Sequence, residues 1–329
     1  MRIVRIVISF ILAFIIVAGI TATICFSLWK NFDPQMAPAA LEYVVTEPQT
    51  KKSVKESIDI LFLGDMMFDR GIRYYAQKQG NYNFIFEKVF LLLSEKDLVV
   101  ANLEGPITDN KSVSITAKTE TPNSYYFTFD PLIANLLYSN NVKLVSLGNN
   151  HIMNFGKDGL ASTENYLETA GVEYFGSPNG QTSILKEIEG LKIAFVGFNQ
   201  FGGSSEKEKV LREIQKQKTT ADLVFVYCHW GEEYWNNPTS FQDQAAKDFI
   251  DAGADLVVGS HTHVIGTKDY YNGKTIYYSL GNFIFDQYFS EETKEGLGLD
   301  VVIDTKTKKI DLKETKFYLN QGGQTILAP

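Results

Sequence analysis

The sequence predicts an α/β fold in which strands and helices alternate around a mixed sheet. The first observation is a series of short, continuous apolar runs, which are typical of strands buried on both faces. The second is a set of helical stretches between these runs. The third is the placement of Asp, Glu, Asn and His residues directly after several runs. In an α/β fold that position lies at the strand ends, where binding sites are built on loops.

Each element is predicted from its local pattern. The apolar runs that predict strands are IDILFLG (58–64), DLVVANL (97–103), KLVSLG (143–148), KIAFVGF (192–198), DLVFVYC (222–228), DLVVGS (255–260) and TIYYSLG (275–281). Helices are predicted at 84–94, 130–140, 156–170, 206–218 and 240–252. The segment 296–317 predicts a closing β-hairpin. One domain accommodates all of these elements.

The N-terminus predicts a membrane anchor. After Arg2 and Arg5, residues 6–29 carry no charge, and this length spans a bilayer as a helix. A cleaved signal peptide, whose apolar core is shorter, is the alternative. The arginines are expected to stay in the cytoplasm, so that the rest of the chain faces outward. We expect a single-pass protein of the cell membrane with an anchor at 1–30, a linker at 31–57 and an extracytoplasmic domain at 58–320.

Composition and charge restrict the classes of function. Of 329 residues, 44% are hydrophobic and 21% are charged, which is typical of a globular protein. The formal net charge of -8 argues against a nucleic acid as the main partner. Cys25 in the N-terminal run and Cys228 in a predicted strand do not look like a pair, so no disulfide framework is expected.

Two carboxylates follow predicted strands early in the chain. Asp65 comes after FLG, and Glu104 comes after VVANL. At strand ends both side chains can bind a metal, and Glu104 can bridge two cations. Each also has a simpler interpretation, because an aspartate often caps a turn and a glutamate in a loop is usually solvated.

All four histidines lie in three short motifs. His151 ends SLGNNH, His229 lies in VYCHWGEEY, and GSHTH contains His261 and His263. A His-x-His pair after a strand can point both imidazoles into one site, as zinc and manganese centres require. His151 can donate a proton or a hydrogen bond to a leaving group, although Asn-Asn-His could also be a turn around a structural histidine.

Together these side chains predict a metal site with mixed nitrogen and oxygen ligands. The candidate ligands are Asp65, Glu104, Asn150, His229, His261 and His263. A ligand set of this kind without cysteine fits one or two divalent ions of Mn, Fe or Zn. A two-metal centre polarises its substrate and generates hydroxide near neutral pH.

The motifs, in this order, resemble the poly-gamma-glutamate capsule biosynthesis family of CapA-like proteins, within the calcineurin-like metallophosphoesterase superfamily. The matching segments are GDMMFDR, NLEGP, GNNHIMNFG, HWGEEY, DAGADLVVGSHTHV and YYSLGNFIFDQ. The resemblance implies a four-layer α/β/β/α sandwich, and the six candidate ligands fall on its metal-binding motifs. It implies that His151 contacts the scissile group as electrophile or general acid and that Arg70, a second catalytic candidate, contacts an anionic substrate. It also implies that Glu233 and Asn282 line the site as substrate contacts.

The sequence departs from the pattern of the superfamily at several positions. Met67 stands where the Asp-x-His motif has its histidine, so one metal is expected to lose an imidazole ligand. Glu104 replaces an aspartate, as is typical of the capsule branch, and Asn154 stands where that branch usually has Asp. Asn149 is an alternative to Asn150 as the amide ligand.

The resemblance implies a membrane-anchored protein that acts in the synthesis or export of poly-gamma-glutamate through a metal-dependent, hydrolase-like site. Its expected partners are the anionic polymer and other membrane subunits of a capsule synthase complex. One alternative is a non-enzymatic polymer-binding or scaffold subunit, which the absence of a histidine at Met67 favours. The other alternative is a general phosphoesterase of the cell surface.

Overall fold

The computed structural model describes residues 55–115 and 121–328, together with Lys30. The predicted membrane anchor, apart from Lys30, and the linker up to residue 54 lie outside the described residues. Within the described part of the chain, no helix has both the length and the apolar character that crossing a membrane requires.

Strands make up most of the regular structure, and helices lie between many of them. The strands are β1 (Ser57–Met66), β2 (Leu98–Leu103), β3 (Val142–Ser146), β4 (Glu173–Phe175), β5 (Ser183–Ile188), β6 (Leu191–Asn199), β7 (Leu223–His229), β8 (Leu256–Ser260), β9 (Lys268–Tyr271), β10 (Lys274–Tyr277), β11 (Asn282–Ile284), β12 (Glu295–Asp304), β13 (Ile310–Asn320) and β14 (Gln324–Leu327). The helices are α1 (Arg70–Gln79), α2 (Phe90–Ser94), α3 (Leu132–Ser139), α4 (Gly156–Ala170), α5 (Glu206–Lys218), α6 (Ser240–Asp251) and α7 (Glu291–Lys294).

The strands form two mixed sheets. The order of the first sheet is β14-β13-β12-β1-β2-β3-β4, with β11 paired to β1, and the order of the second sheet is β5-β6-β7-β8-β10-β9. Pairing is parallel from β1 to β4 and from β6 through β8 to β10. It is antiparallel where β12, β13 and β14 extend the first sheet. The parallel strands therefore point their carboxyl ends to one edge of each sheet.

Alternation along the strands builds three apolar layers. In β1, Ile60 and Phe62 belong to the core between the two sheets, where the Phe62 ring stacks on Tyr227 of β7 with centroids 6.3 Å apart. Leu61 and Leu63 point to the opposite face, in a core shared with α1, α3 and α4. The outer face of the second sheet packs on α5 and α6. The α/β prediction is confirmed, and the layers follow the order α/β/β/α.

Most of the predicted elements are confirmed, and two are corrected. The run at 275–281 is a strand only to Tyr277, and its last residues form the connection to β11. The helix predicted at 84–94 is wrong in its first half, where a 3-10 helix precedes α2. Hydrogen bonds from Phe86 N–H to Asn83 and from Val89 N–H to Phe86 span three residues, so the chain winds more tightly there than an α-helix.

Candidate metal centre

Asp65 and Glu104 bring two buried carboxylates to the carboxyl end of the first sheet. Asp65 lies near the end of β1, where its N–H donates to the carbonyl oxygen of Gly281 at 3.0 Å. A Cβ at Gly64 would lie 1.9 Å from the same oxygen, so this close approach requires glycine. Glu104 directly follows β2, and both carboxylate side chains are 0% exposed.

The first set of candidate ligands is Asp65, Glu104 and His263, which we call the acidic group. One ligand atom from each residue lies within 4.8 Å of the others. His263 Nδ1 is 3.4 Å from Asp65 Oδ2, and His263 Nε2 is 3.6 Å from Glu104 Oε1. The carboxylates come from the first sheet and the imidazole follows β8 of the second. The group therefore lies where the two sheets meet.

The second set is Asn150, His229 and His261, which we call the imidazole group. His229 ends β7 and is 0% exposed. Its Nε2 atom is 2.9 Å from Asn150 Oδ1 and 3.0 Å from His261 Nδ1. Ligand atoms around an octahedral ion with bonds of about 2.1 Å also lie about 3 Å apart. The separations of His229 Nε2 from the other two atoms therefore match those of ligands around one ion.

The amide of Asn149 serves a structural role, which distinguishes it from Asn150. Its Oδ1 atom accepts from the N–H groups of His151 and Ile152, at 3.1 and 2.8 Å. Its Nδ2 atom donates to Asn102 Oδ1 and to the carbonyl oxygen of Leu103, at 3.0 and 2.8 Å. Because both ends of the Asn149 amide are engaged, Asn150 is the asparagine whose side chain faces the imidazole group.

Sequence reasoning missed Asn102, which connects the two groups. This residue lies inside β2 and is 0% exposed. Its Nδ2 atom donates to Asp65 Oδ1 at 2.7 Å and lies 3.2 Å from His229 Nδ1. The same His229 Nδ1 atom lies 3.1 Å from Ser260 Oγ. Asn102 and Ser260 therefore fix the ring of His229 from behind.

Asn282 fixes the ring of His263 in the same way. Its Nδ2 atom faces three acceptors: His263 O, Gln287 Oε1 and Thr293 O. The Oδ1 atom must then be the one that lies 2.9 Å from His263 Nδ1, so this ring nitrogen carries a proton and donates. The lone pair of Nε2 is left facing Glu104. Asn282 is 0% exposed. It lies behind the ligand, and the substrate contact predicted for it stays a prediction.

Burial keeps the imidazoles of the imidazole group neutral. It lowers the pKa of His229 well below its ordinary value, with a further decrease from the neighbouring His261. It lowers the pKa of His261 to about 3, and the nearby His263 adds to this effect. Neutral rings are the form in which histidine binds a metal, so these residues need no deprotonation at neutral pH.

The pKa values of the two carboxylates shift in opposite directions. Burial and the negative charge of Asp65 raise the pKa of Glu104 well above its ordinary value. Burial also acts to raise the pKa of Asp65, but a hydrogen bond with His263, interactions with the His229 and His263 rings and the backbone N–H of His261 outweigh it, so the pKa of Asp65 is lowered. The surrounding residues therefore stabilise the ionised carboxylate of Asp65 and do not stabilise that of Glu104.

His151 borders the acidic group. Its Nε2 atom is 4.0 Å from Glu104 Oε1, and its ring packs against the tilted ring of Phe127 with centroids 4.4 Å apart. Asn154 Oδ1 accepts from Phe127 N–H at 2.8 Å and lies 3.2 Å from His151 Nδ1, so Nδ1 carries the proton of the neutral ring. Burial lowers the pKa of His151 to about 4, with further decreases from the neighbouring His263 and Arg70.

Arg70 lies beside the centre with its charge already paired. Its guanidinium forms an ion pair with Asp286 and donates to the carbonyl oxygen of Ser124 at 3.3 Å. It also lies over the rings of Phe127 and Phe285, 5.0 and 5.4 Å from their centroids. Arg70 lines a cleft of about 730 Å³ next to the centre. The structure thus places Arg70 where a substrate contact is possible, although Asp286 already neutralises it.

Met67 turns away from both groups. Its side chain is 0% exposed and belongs to the apolar core under α1, and its sulfur accepts a hydrogen bond from Asp69 N–H at 2.9 Å. The position predicted to lack an imidazole therefore contributes packing instead of a ligand.

Most of the predicted site residues come together in the structure. Those that converge at the meeting of the two sheets are Asp65, Glu104, Asn150, His151, His229, His261 and His263. Glu233 joins them from an exposed loop after β7, in a second grouping with His261 and His263. The ligand roles assigned to these residues stay predictions.

The residues present fit divalent metal ions. Glu104 Oε1 is buried, and no atom of the described residues hydrogen-bonds to it. A buried carboxylate oxygen without a partner is costly unless a cation completes it. The neutral imidazoles and the amide oxygen supply the other nitrogen and oxygen donors that such ions take.

A capsule synthesis family matches this chain. The family model described as "Bacterial capsule synthesis protein PGA_cap" matches residues 59–287. The chain belongs to this family. The matched segment begins in β1 and ends beyond β11, so it contains both ligand groups.

Two relatives and one solved structure are similar to the chain. The "PGA biosynthesis protein CapA" of Bacillus subtilis (strain 168) is 30% identical over 258 residues, which cover 73% of this chain and 66% of that protein. The "Capsule biosynthesis protein CapA" of Bacillus anthracis is 28% identical over 307 residues, covering 84% and 67%. The chain thus spans about two thirds of the length of these relatives. A crystal structure of a hypothetical protein from Thermus thermophilus shares the fold, with a TM-score of 0.51 and 17% identity over 79% of this chain and 99% of that one.

Proposed function

We propose that this protein is a membrane-anchored, outward-facing component of poly-gamma-glutamate synthesis or export, and that it carries a metal-dependent hydrolase centre. The convergence of the acidic and imidazole groups supports this proposal most directly. The family, and the capsule and PGA biosynthesis named for its relatives, support the polymer as substrate class. The uncharged run at 6–29 supports the anchor. Other membrane subunits of a capsule synthase are the expected partners.

Each of the two groups would bind one metal ion. Asp65, Glu104 and His263 would hold one ion, and Asn150, His229 and His261 would hold a second. When bound, such ions polarise an amide or phosphoester and provide hydroxide near neutral pH. The protein contributes rigidity, since Asn102, Asn282 and Ser260 hold the ligand side chains from behind.

His151 is the candidate for proton transfer to the leaving group. Asn154 holds its Nδ1 proton, so the Nε2 atom points toward the acidic group without a proton in the neutral ring. To act as a general acid, His151 therefore takes up a second proton at Nε2. A bound anionic substrate favours that uptake, because a nearby negative charge stabilises the imidazolium. Arg70 would contact the same anion while it stays paired with Asp286.

The test is hydrolysis by the purified full-length protein in detergent, supplied with Mn²⁺ or Zn²⁺. Poly-gamma-glutamate and a simple phosphomonoester are offered as substrates. We expect metal-dependent cleavage that a chelator stops and that His151→Ala abolishes. Wild-type protein that is as inert as the His151→Ala variant on both substrates would contradict the catalytic part of the proposal. Cleavage of the phosphomonoester alone would instead indicate a general phosphoesterase.

A non-enzymatic role is the second candidate, and the pairing of Arg70 favours it. A guanidinium neutralised by Asp286 is less available to a reacting anion. In this role the centre grips carboxylates of the polymer without cleaving it. The discriminating experiment is complementation of a strain that lacks this protein. Full restoration of capsule by the His151→Ala variant would favour binding over catalysis.

A further inference from the structure

We propose that Glu233 is a metal ligand and that its carboxylate completes the acidic group on its solvent side. This assignment rests on the metal centre of the proposed function. It concerns a residue for which sequence reasoning predicted a substrate contact.

The first support is distance. Ligand atoms of Glu233, His261 and His263 lie within 4.8 Å of one another, as do those of the acidic group. His263 is common to both sets, so Glu233 approaches the acidic group through the histidine that they share. Glu233 is exposed, whereas its two partners are buried. The carboxylate therefore lies above the two rings at the mouth of the centre.

The second support is charge. Glu233 acts electrostatically on Glu104, whose carboxylate already faces Asp65. Glu233 therefore adds a third carboxylate to the electrostatic environment of Asp65 and Glu104. Like charges brought this close are unfavourable in a buried setting. A divalent cation between them removes the repulsion and gives the unpartnered oxygen of Glu104 a ligand bond.

The third support is a chain of hydrogen bonds that holds Glu233 from behind. Asn282 Nδ2 donates to Gln287 Oε1 at 3.1 Å, so the amide of Gln287 is oriented with its Nε2 atom toward Tyr234. Gln287 Nε2 donates to the Tyr234 hydroxyl oxygen at 3.3 Å. The hydroxyl proton is then left for the Glu233 carboxylate, with which Tyr234 interacts. The same asparagine also orients His263, so one network positions both proposed ligands.

The fourth support is the backbone. Tyr234, His261 and His263 all adopt left-handed conformations, with φ of 68°, 93° and 59°. Such conformations cost free energy for residues other than glycine and persist where the surroundings enforce them. The Tyr234 N–H donates to the carbonyl oxygen of Thr262 at 2.7 Å, which ties the Glu233 loop to the His-x-His loop. The strain is therefore concentrated in the two loops that carry Glu233, His261 and His263.

The experiment is a calorimetric titration of Mn²⁺ into the full-length protein in detergent after removal of metal by a chelator. Wild type is compared with Glu233→Gln and with Glu232→Gln, which removes the same charge from the neighbouring exposed residue. We expect two bound ions in wild type and in Glu232→Gln. Glu233→Gln should weaken one of the two sites by about a hundredfold or more. Tyr234→Phe, which keeps the ring and removes the hydroxyl, should weaken the same site by about tenfold.

The outcomes separate this assignment from the proposed function. Equal affinities and stoichiometries in wild type and Glu233→Gln would overturn the role of Glu233 and leave the metal centre in place. Equal weakening by Glu232→Gln and Glu233→Gln would reduce the effect to general electrostatics, which also overturns the assignment. Wild-type protein that binds no Mn²⁺ would overturn both the metal centre and the ligand role of Glu233.

Discussion

The acidic group and the imidazole group lie side by side, yet they differ in how completely the protein provides hydrogen-bond partners for their side chains. In the imidazole group, His229 has partners at both ring nitrogens and every side chain is neutral. In the acidic group, a buried oxygen of Glu104 has no partner among the described residues, and its pKa is raised. The imidazole group is therefore stable without an ion. In the acidic group, burial of the carboxylates costs free energy, which a bound cation would offset.

The largest expected effect comes from the imidazole group. His229→Ala should lower the free energy of unfolding of the metal-free protein by about 3–4 kcal/mol. The side chain is 0% exposed, so its loss leaves a cavity and removes a partner from Asn150 and Ser260. Denaturant unfolding in the presence of a chelator measures the change. A loss below about 1 kcal/mol would show that this group is not self-supporting.

The pH dependence of the metal-free protein is the next largest effect. The pKa of His151 is about 4 in the folded protein and near 6.5 in an unfolded chain, so the unfolded state binds the proton first. Stability is fully present above pH 6.5 and is lost as the pH falls toward 4, by up to about 3 kcal/mol from this residue. Unfolding measured between pH 7 and 4 should show a shallower decline for His151→Gln. Identical slopes for the variant and wild type would contradict this.

The acidic group should respond to the loss of a charge with a gain in stability. Glu104→Gln should raise the unfolding free energy of the metal-free protein by about 1–2 kcal/mol, because it removes a buried charge whose pKa is raised. The same variant should bind Mn²⁺ more weakly.

Asp65→Asn is the matched control for this prediction. The pKa of Asp65 is lowered, so its ionised form is stabilised in the folded protein and the amide should lower stability. Opposite signs for the two variants would sharpen the contrast within the acidic group. If both variants were more stable than wild type, burial of the Asp65 carboxylate would be as unfavourable as burial of the Glu104 carboxylate.

The smallest effect concerns Arg70, the positively charged side chain beside the acidic group. A double-mutant cycle of Arg70→Gln and Asp286→Asn should give a coupling energy of about 1 kcal/mol, because the pair is partly buried. Thermal or denaturant unfolding of the four proteins measures it. A coupling energy near zero would mean that the Arg70 guanidinium is free to contact a substrate.

The strands that carry the ligands could be predicted from the sequence, whereas the edges of the sheets could not. Continuous apolar runs marked β1, β2, β3, β6, β7 and β8, since both faces of these strands are buried. The short strands β4 and β9 gave no such signal: Glu173–Phe175 has three residues, and Lys268–Tyr271 is largely exposed. Their strand character comes from pairing with a neighbour, which a local pattern does not contain.

The same distinction applies to the site. Residues directly after strands were recognisable because loop positions at strand ends carry polar side chains. Asn102 was missed because it lies within β2, where only the register against β1 places it opposite Asp65. The choice between Asn149 and Asn150 also needed the structure, since it depends on which amide the surrounding backbone engages.

The candidate ligands are divided between the two sheets, and this division has a kinetic consequence for metal binding. Asp65 lies near the end of β1, and Glu104 and Asn150 follow strands of the same sheet, while His229, His261 and His263 end or follow strands of the second sheet. An ion bound by residues of both sheets would act as a cross-link across the aromatic core between the sheets. The sheets cannot separate while that cross-link holds, so metal should slow global unfolding and delay amide hydrogen exchange in both sheets together. Removal of the metal by a chelator should then speed hydrogen exchange at amides far from the centre.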